Sequence, residues 1–219
     1  MTENITTTQS GTMIIDGVEY STYPPPEVLV KAMERRWADK LLKHGSIRFG
    51  SLATYRQWEN AVLGDPNDGE GKFRMDGHSY DIGSINPVYA WCASMPTITT
   101  DRTLLIAKHG MYDCVVHVHE PLLMIQRVRA ALAKSNKSLE FHCAEVSYNR
   151  GVEVDKQALN SQKFHFNVFQ KDPGFSPDRE YRLSLTDNSF RFVQKNFVDL
   201  VVGGCSDIMS IEALPNNTM

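Results

Sequence analysis

The chain has 219 residues, 42% hydrophobic and 22% charged, with 23 Lys and Arg against 26 Asp and Glu for a formal charge of −3. That length favours one core of ordinary size over two. The slightly acidic sum argues against a general nucleic-acid or anionic-membrane binder, while leaving room for a local basic patch. No apolar run reaches the roughly 18 to 20 residues that span a bilayer.

The opening MTENITTTQSGT has neither a cationic start nor an apolar run, so residues 1–11 are expected as a polar, flexible tail rather than a secretory signal. Thr12–Thr22 places two apolar stretches around Asp16-Gly17, a hairpin signal. After Pro24-Pro25-Pro26, the residues Val28, Leu29, Ala32, Met33, Trp37, Leu41 and Leu42 recur at helical spacing, predicting one helix over Glu27–His44 capped by Gly45. A strand over Ser46–Ser51 and a helix over Leu52–Leu63 follow. Gly64–Gly71 (GDPNDGEG) reads as loop, and Lys72–Gly83 as a second hairpin about Asp76-Gly77.

Val88–Met95 is an apolar, aromatic run typical of a buried strand, and Asp101–His109 a short helix closed by Gly110. Tyr112–His119 reads as strand, Pro121 to about Lys134 as an amphipathic helix, and Leu139–Tyr148 as strand. Asp155–Gln162 predicts a short helix. Arg179–Thr186 and Phe190–Gln194 pair as a hairpin, and Phe197–Val202 forms a late strand. Strands without strict βαβ alternation give an α+β class with mixed or antiparallel sheets and three to four helices. A single domain over residues 12–214 is expected, with 215–219 as tail. The four cysteines, Cys92, Cys114, Cys143 and Cys205, form no CxxC pair, as expected of reduced thiols in a cytoplasmic protein.

Motifs for chemistry are sparse. P-loop, dinucleotide-binding and GxSxG patterns are missing from the sequence. His117 and His119 share a strand face, but no third ligand stands nearby in sequence, and ordinary surface histidines are expected; no metal is predicted. Counted from Asp65, the EF-hand glycine and glutamate positions hold Glu70 and Asp76, so the acidic stretch is expected as a solvated turn rather than a calcium loop. Two arginine-rich constellations remain. Arg48 lies on a strand, followed by Ser51, then by Tyr55, Arg56 and Glu59 on a helix. Lys171, Asp178, Arg179, Glu180 and Arg182 form the second, with Glu180 and Arg182 on one face of a strand. Structural ion pairs are one reading; arginines gripping a ligand's phosphate or carboxylate, with a glutamate acting on a ribose or a proton, are the other.

At these residues the chain resembles a widespread bacterial and phage domain family of unknown function. The likeness is carried by Arg48-Phe49-Gly50-Ser51-Leu52, Tyr55-Arg56, Glu59, Asp65-Pro66 and Glu70-Gly71, then by Lys171 and Glu180-Tyr181-Arg182. Val88–Ser94 and Val146-Ser147-Tyr148 fit the intervening strands, so the likeness covers Trp37 to Leu185. The family's contiguous Asn-Asp-Pro-Phe-Glu is interrupted here by Asn67-Asp68-Gly69, which leaves Glu59 and Glu70 as alternatives for its acidic residue.

The order of elements is also similar to the ADP-ribosyltransferase-like fold. That likeness implies NAD as cofactor, with catalytic roles for Arg48, Tyr55 and Glu180 and ligand contacts from Ser51, Arg56, Glu59, Lys171 and Arg182. In such a site a cation meets the pyrophosphate, an aromatic ring stacks on nicotinamide, and a carboxylate holds the ribose while positive charge develops at the anomeric carbon. Three functions follow as expectations: an NAD-using transferase or glycohydrolase in phage–host conflict, a non-catalytic module binding a small nucleotide or a host or phage macromolecule in that setting, or a metal-dependent nuclease built on Asp65, Glu70 and Glu59.

Overall fold

The structure is a computed structural model. It describes residues 5–7, 12–15, 18–21, 25–57, 64–84, 86–135, 138–153, 167–187 and 195–214, with backbone only for the first three segments and for Ile82. Strands β1 (Ile5–Thr7), β2 (Thr12–Ile15) and β3 (Val18–Ser21) form a small antiparallel sheet, with Ile15 opposite Val18 as the Asp16-Gly17 signal predicts.

Next along the chain come β4 (Leu29–Met33), helix α1 (Arg35–His44), β5 (Ser46–Ser51), helix α2 (Leu52–Arg56) and the hairpin β6 (Gly71–Met75) with β7 (His78–Ile82). Strand β8 (Val88–Ser94), helix α3 (Thr100–Gly110), β9 (Cys114–Val118) and helix α4 (Pro121–Lys134) follow. The chain ends with β10 (Leu139–Glu145), 3₁₀ turns at Asn167–Phe169 and Pro173–Asp178, β11 (Glu180–Asp187), β12 (Phe197–Val201) and β13 (Met209–Ala213). Helices and antiparallel sheets together make this an α+β fold.

Eight of these strands form one antiparallel sheet that forks at β8. One edge of β8 pairs with β11, and β11 with β10. The opposite edge is shared. Tyr89 and Ala90 pair with Ser51 and Gly50 of β5, which continues to β12. Ser94 pairs instead with Val30 of β4, which continues to β9 and β13.

The single helix expected over Glu27–His44 is therefore a strand and a helix. The run VLVKAM satisfies either periodicity, and pairing with β8 and β9 decides for the strand. Glu34 is extended, and α1 begins after it. Strand β13 escaped prediction because its five residues carry one short alternation. The α3 helix ends with Met111, not Gly110, in the left-handed conformation; a Cβ on Gly110 would sit 2.2 Å from the Tyr112 ring. The predicted helix at Asp155–Gln162, the second half of Leu52–Leu63 beyond Gln57, and the Phe190–Gln194 strand lie outside the described residues.

The two faces of the sheet differ. Tyr181, Leu183 and Leu185 of β11 join Tyr89, Trp91, Leu29, Val116 and Phe49 in the main apolar core, closed by Ala38 and Leu41 of α1 and by Met124, Ile125 and Val128 of α4. Alternation sends Glu180, Arg182 and Ser184 to the opposite face, where a smaller apolar cluster of Leu52, Val88, Ala90, Val168 and Phe169 sits. Because Glu180 to Leu185 are all buried, this second face is covered too, and its charges are withdrawn from water.

Gly45 ends α1 at φ 63°, and a Cβ there would stand 1.7 Å from the Gly203 carbonyl oxygen. Gly77 has φ 76° with open space around it. Both Gly→Ala changes incur the left-handed penalty of about 1–2 kcal/mol. Urea denaturation should show Gly45→Ala clearly more destabilised than Gly77→Ala; equal losses would place no close contact at Gly203.

Candidate functional site

The charged face of the sheet is organised by Arg182, which is 0% exposed. Its Nε donates to Glu180 two residues earlier on the same strand face. Its two Nη groups donate to both oxygens of Asp68 at 2.6 and 2.9 Å, and Nη1 also reaches the Val168 carbonyl at 2.7 Å. Glu180 is shared: Lys171 Nζ lies 2.7 Å from its other oxygen. Lys171 also stands 4.0 Å from Asp178, which accepts from Arg102 Nε of α3 at 2.7 Å. The backbone N–H of Glu180 donates to Tyr148 Oη at 2.7 Å.

The sequence builds this locally. Asp68 is presented by a turn whose Asp68 N–H donates to the Asp65 carbonyl at 3.0 Å. Asp65 is itself 2% exposed and receives Arg150 Nη1 on both oxygens, at 2.9 and 2.7 Å. Glu70, the third acid, pairs with Arg56 at 2.5 Å. The stretch expected as a solvated turn is thus a set of acids, each taken by an arginine from elsewhere in the chain. Buried carboxylates need such partners because desolvating an unpaired charge costs several kcal/mol. Among the described residues no three His, Cys, Asp or Glu side chains converge as a metal site. His117 and His119 bond Glu212 and Ser210.

Burial pushes the Glu180 carboxyl upward, but the charges of Arg182 and Lys171 outweigh it and hold the group far below the usual carboxylate range. Burial lowers Lys171, and Glu180 and Asp68 more than restore it. Asp178 goes the other way: burial raises it, and Lys171 and Arg102 offset this only in part. Burial and Glu180 push the Cys92 thiol up, and burial raises the Tyr55 phenol, so neither is an activated nucleophile.

A cavity of about 140 Å³ opens onto this network, between the β4–β8 fork, α3 and the Pro173–Asp178 turn. Tyr55, Lys171, Glu180 and Arg182 line it, together with Asp68, Cys92, Tyr112 and Lys31. At ~30 Å³ per water in the liquid, it accommodates roughly five water-sized groups. A second cavity of about 410 Å³ is lined by Arg56, Lys72, Arg150 and the Gly69–Gly71 backbone.

The sequence-derived site residues therefore divide. Tyr55, Lys171, Glu180 and Arg182 meet at one cavity, with Tyr55 Oη 3.4 Å from the Ala90 carbonyl. Arg48 lines neither cavity. It makes a two-point ion pair with Asp199 at 2.8 Å, its guanidinium 4.5 Å from the Trp37 ring and 3.7 Å from that of Phe197. Ser51 is buried at the β5–β8 junction, Arg56 lines the larger cavity, and Glu59 lies outside the described residues. Sequence reasoning missed Asp68 as Arg182's partner, and Lys31 altogether; the available signal was charge inside apolar strands, Lys31 alone in VLVKAM and Glu180 with Arg182 in EYRLSL.

Compared with known proteins, the chain matches no family model, no curated protein and no solved structure. Among the described residues no helix is long and apolar enough to cross a membrane.

Removing one partner of the buried network strands the other. Arg182→Met should cost about 3–5 kcal/mol, whereas an exposed pair such as Arg35–Asp39 is worth at most ~1 kcal/mol; chemical denaturation of Arg182→Met and Arg35→Met compares them. The depressed Glu180 group adds stability that is whole above its ordinary 4.5 and is lost as pH falls below that value. Urea midpoints taken from about pH 6 to about pH 2 should fall for the wild type and fall less for Glu180→Gln.

Proposed function

We propose that the domain is a small-ligand receptor that holds the terminal group of a nucleotide or similar polar metabolite in the cavity beside Glu180. The observation that carries this is the meeting of Tyr55, Lys171, Glu180 and Arg182 at a single cavity, from α2, β11 and the segment between the 3₁₀ turns. Its charges are fixed in advance by one another, so ligand entry requires little reorganisation. A fully ion-paired carboxylate is a poor proton acceptor, and the thiol and phenols beside it are kept protonated. Recognition fits these groups better than general acid–base chemistry. A cavity of about 140 Å³ admits one end of a dinucleotide and leaves the rest outside.

NAD turnover is the second reading, favoured by one observation: Glu180 is held ionised at the cavity wall, as a carboxylate facing a developing anomeric cation must be. The cation that this reading assigns to Arg48 is engaged elsewhere with Asp199. For either reading, phage–host conflict is the working context we propose, on the family resemblance alone.

Calorimetry with NAD, ADP-ribose and nicotinamide, together with chromatography for released nicotinamide, separates the readings. Binding without turnover is expected, weakened by Tyr55→Ala. Nicotinamide release by the wild type that is abolished in Glu180→Gln protein still folded by circular dichroism would replace the receptor with the enzyme.

A further inference from the structure

Resting on the receptor reading, we infer that Lys31 is the anchor of the cavity and that the ligand it anchors carries an anionic group, a carboxylate or a phosphate monoester.

Lys31 lies where the sheet forks. Cys92 falls between the residues of β8 that pair with β5 and the one that pairs with β4, so its carbonyl has no strand opposite it on that edge. The Lys31 ammonium fills the gap, with Nζ 2.5 Å from the Cys92 carbonyl oxygen and 5.0 Å from the centre of the Trp91 ring. Lysine suits this place because its long stem crosses the fork and a compact ammonium offers three donors.

Its charge is not matched as the others are. Lys171 and Arg182, the other cations of the cavity, and Arg102 beside it each have a carboxylate within ion-pair distance. Among the described residues, none lies that close to Lys31, whose Nζ has the Cys92 carbonyl as its hydrogen-bond partner there. A backbone carbonyl and an aromatic face compensate an ammonium only partly. In keeping with this, burial lowers the Lys31 group below its ordinary 10.5, with Cys92 and Glu180 offsetting part of the shift.

The remaining donors face a cavity whose other walls set the ligand's shape. Ile98 and Ile106 offer an apolar side, and Thr103 and Tyr112 bring hydroxyl groups. Glu180, Asp68 and Asp178 would repel an anion placed against them, but each is already engaged by a cation. An anion is therefore directed to the Lys31 end, and a compact apolar or sugar body to the isoleucines.

Two matched probe pairs test this on the wild-type protein by calorimetry: benzoate against benzamide, and ribose 5-phosphate against ribose. In at least one pair the anion should bind about ten- to a hundredfold more tightly, as for a charge-assisted contact. Lys31→Met should remove that preference, and the preference should fade as pH rises through a Lys31 value below 10.5. The pair that discriminates tells carboxylate from phosphate. Equal binding within both pairs overturns the anion inference and leaves the receptor standing. Binding of none of the four overturns the receptor reading and the inference with it. Should Lys31→Met fail to fold, the wild-type preference and its pH dependence decide alone.

Discussion

A guanidinium placed in the middle of a sheet, out of reach of water, is the constraint around which the rest of this protein is arranged. Arg182 cannot discharge, so every donor it carries must find an acceptor within the fold. Asp68, Glu180 and the Val168 carbonyl accept from four of its five N–H groups. Meeting that demand holds the 64–70 turn against the sheet and fixes the Asn167–Phe169 turn. It also brings Lys171 to the second oxygen of Glu180. Such a network contributes less to net stability than its geometry implies, since desolvation consumes much of the attraction. It does specify how the 64–70 turn, 114 residues away at Asp68, and the 167–171 segment sit against β11.

The fork in the sheet is the second organising feature, and it meets the first at Cys92. On one side Cys92 is opposite Arg182 in the β8–β11 register. On the other its carbonyl faces the gap between β4 and β5, where Lys31 reaches it. The cavity is therefore a consequence of topology. A sheet whose strands diverge leaves a cleft, and the polar backbone exposed by the divergence calls for a donor. Clefts of this kind, with a few converging polar groups, are where ligands bind.

Much of this was legible in the sequence. The strands at Ser46–Ser51 and Val88–Ser94, the α4 helix starting at Pro121 and the hairpin about Asp76-Gly77 follow from local signals: periodicity, proline position and turn chemistry. The second arginine constellation was recognisable because charges set two apart on an apolar strand must share one face. The acidic turn was harder. Asp65, Asp68 and Glu70 have the composition of a solvated loop, and their partners Arg150, Arg182 and Arg56 lie up to 114 residues away. Local pattern carries no information about contacts at that separation.

By itself the sequence determined which segments become helix or strand wherever one periodicity dominated, and which side chains share a face. Only the tertiary structure decided the rest. The VLVKAM run became a strand because two neighbouring strands were there to pair with it. Arg48, next to an exposed aspartate on β12, was drawn away from Glu180, while Lys31 was drawn toward it. The physical reason is common to all three. Period and propensity act over a few residues, whereas desolvation and hydrogen-bond satisfaction are settled only by what the fold brings alongside.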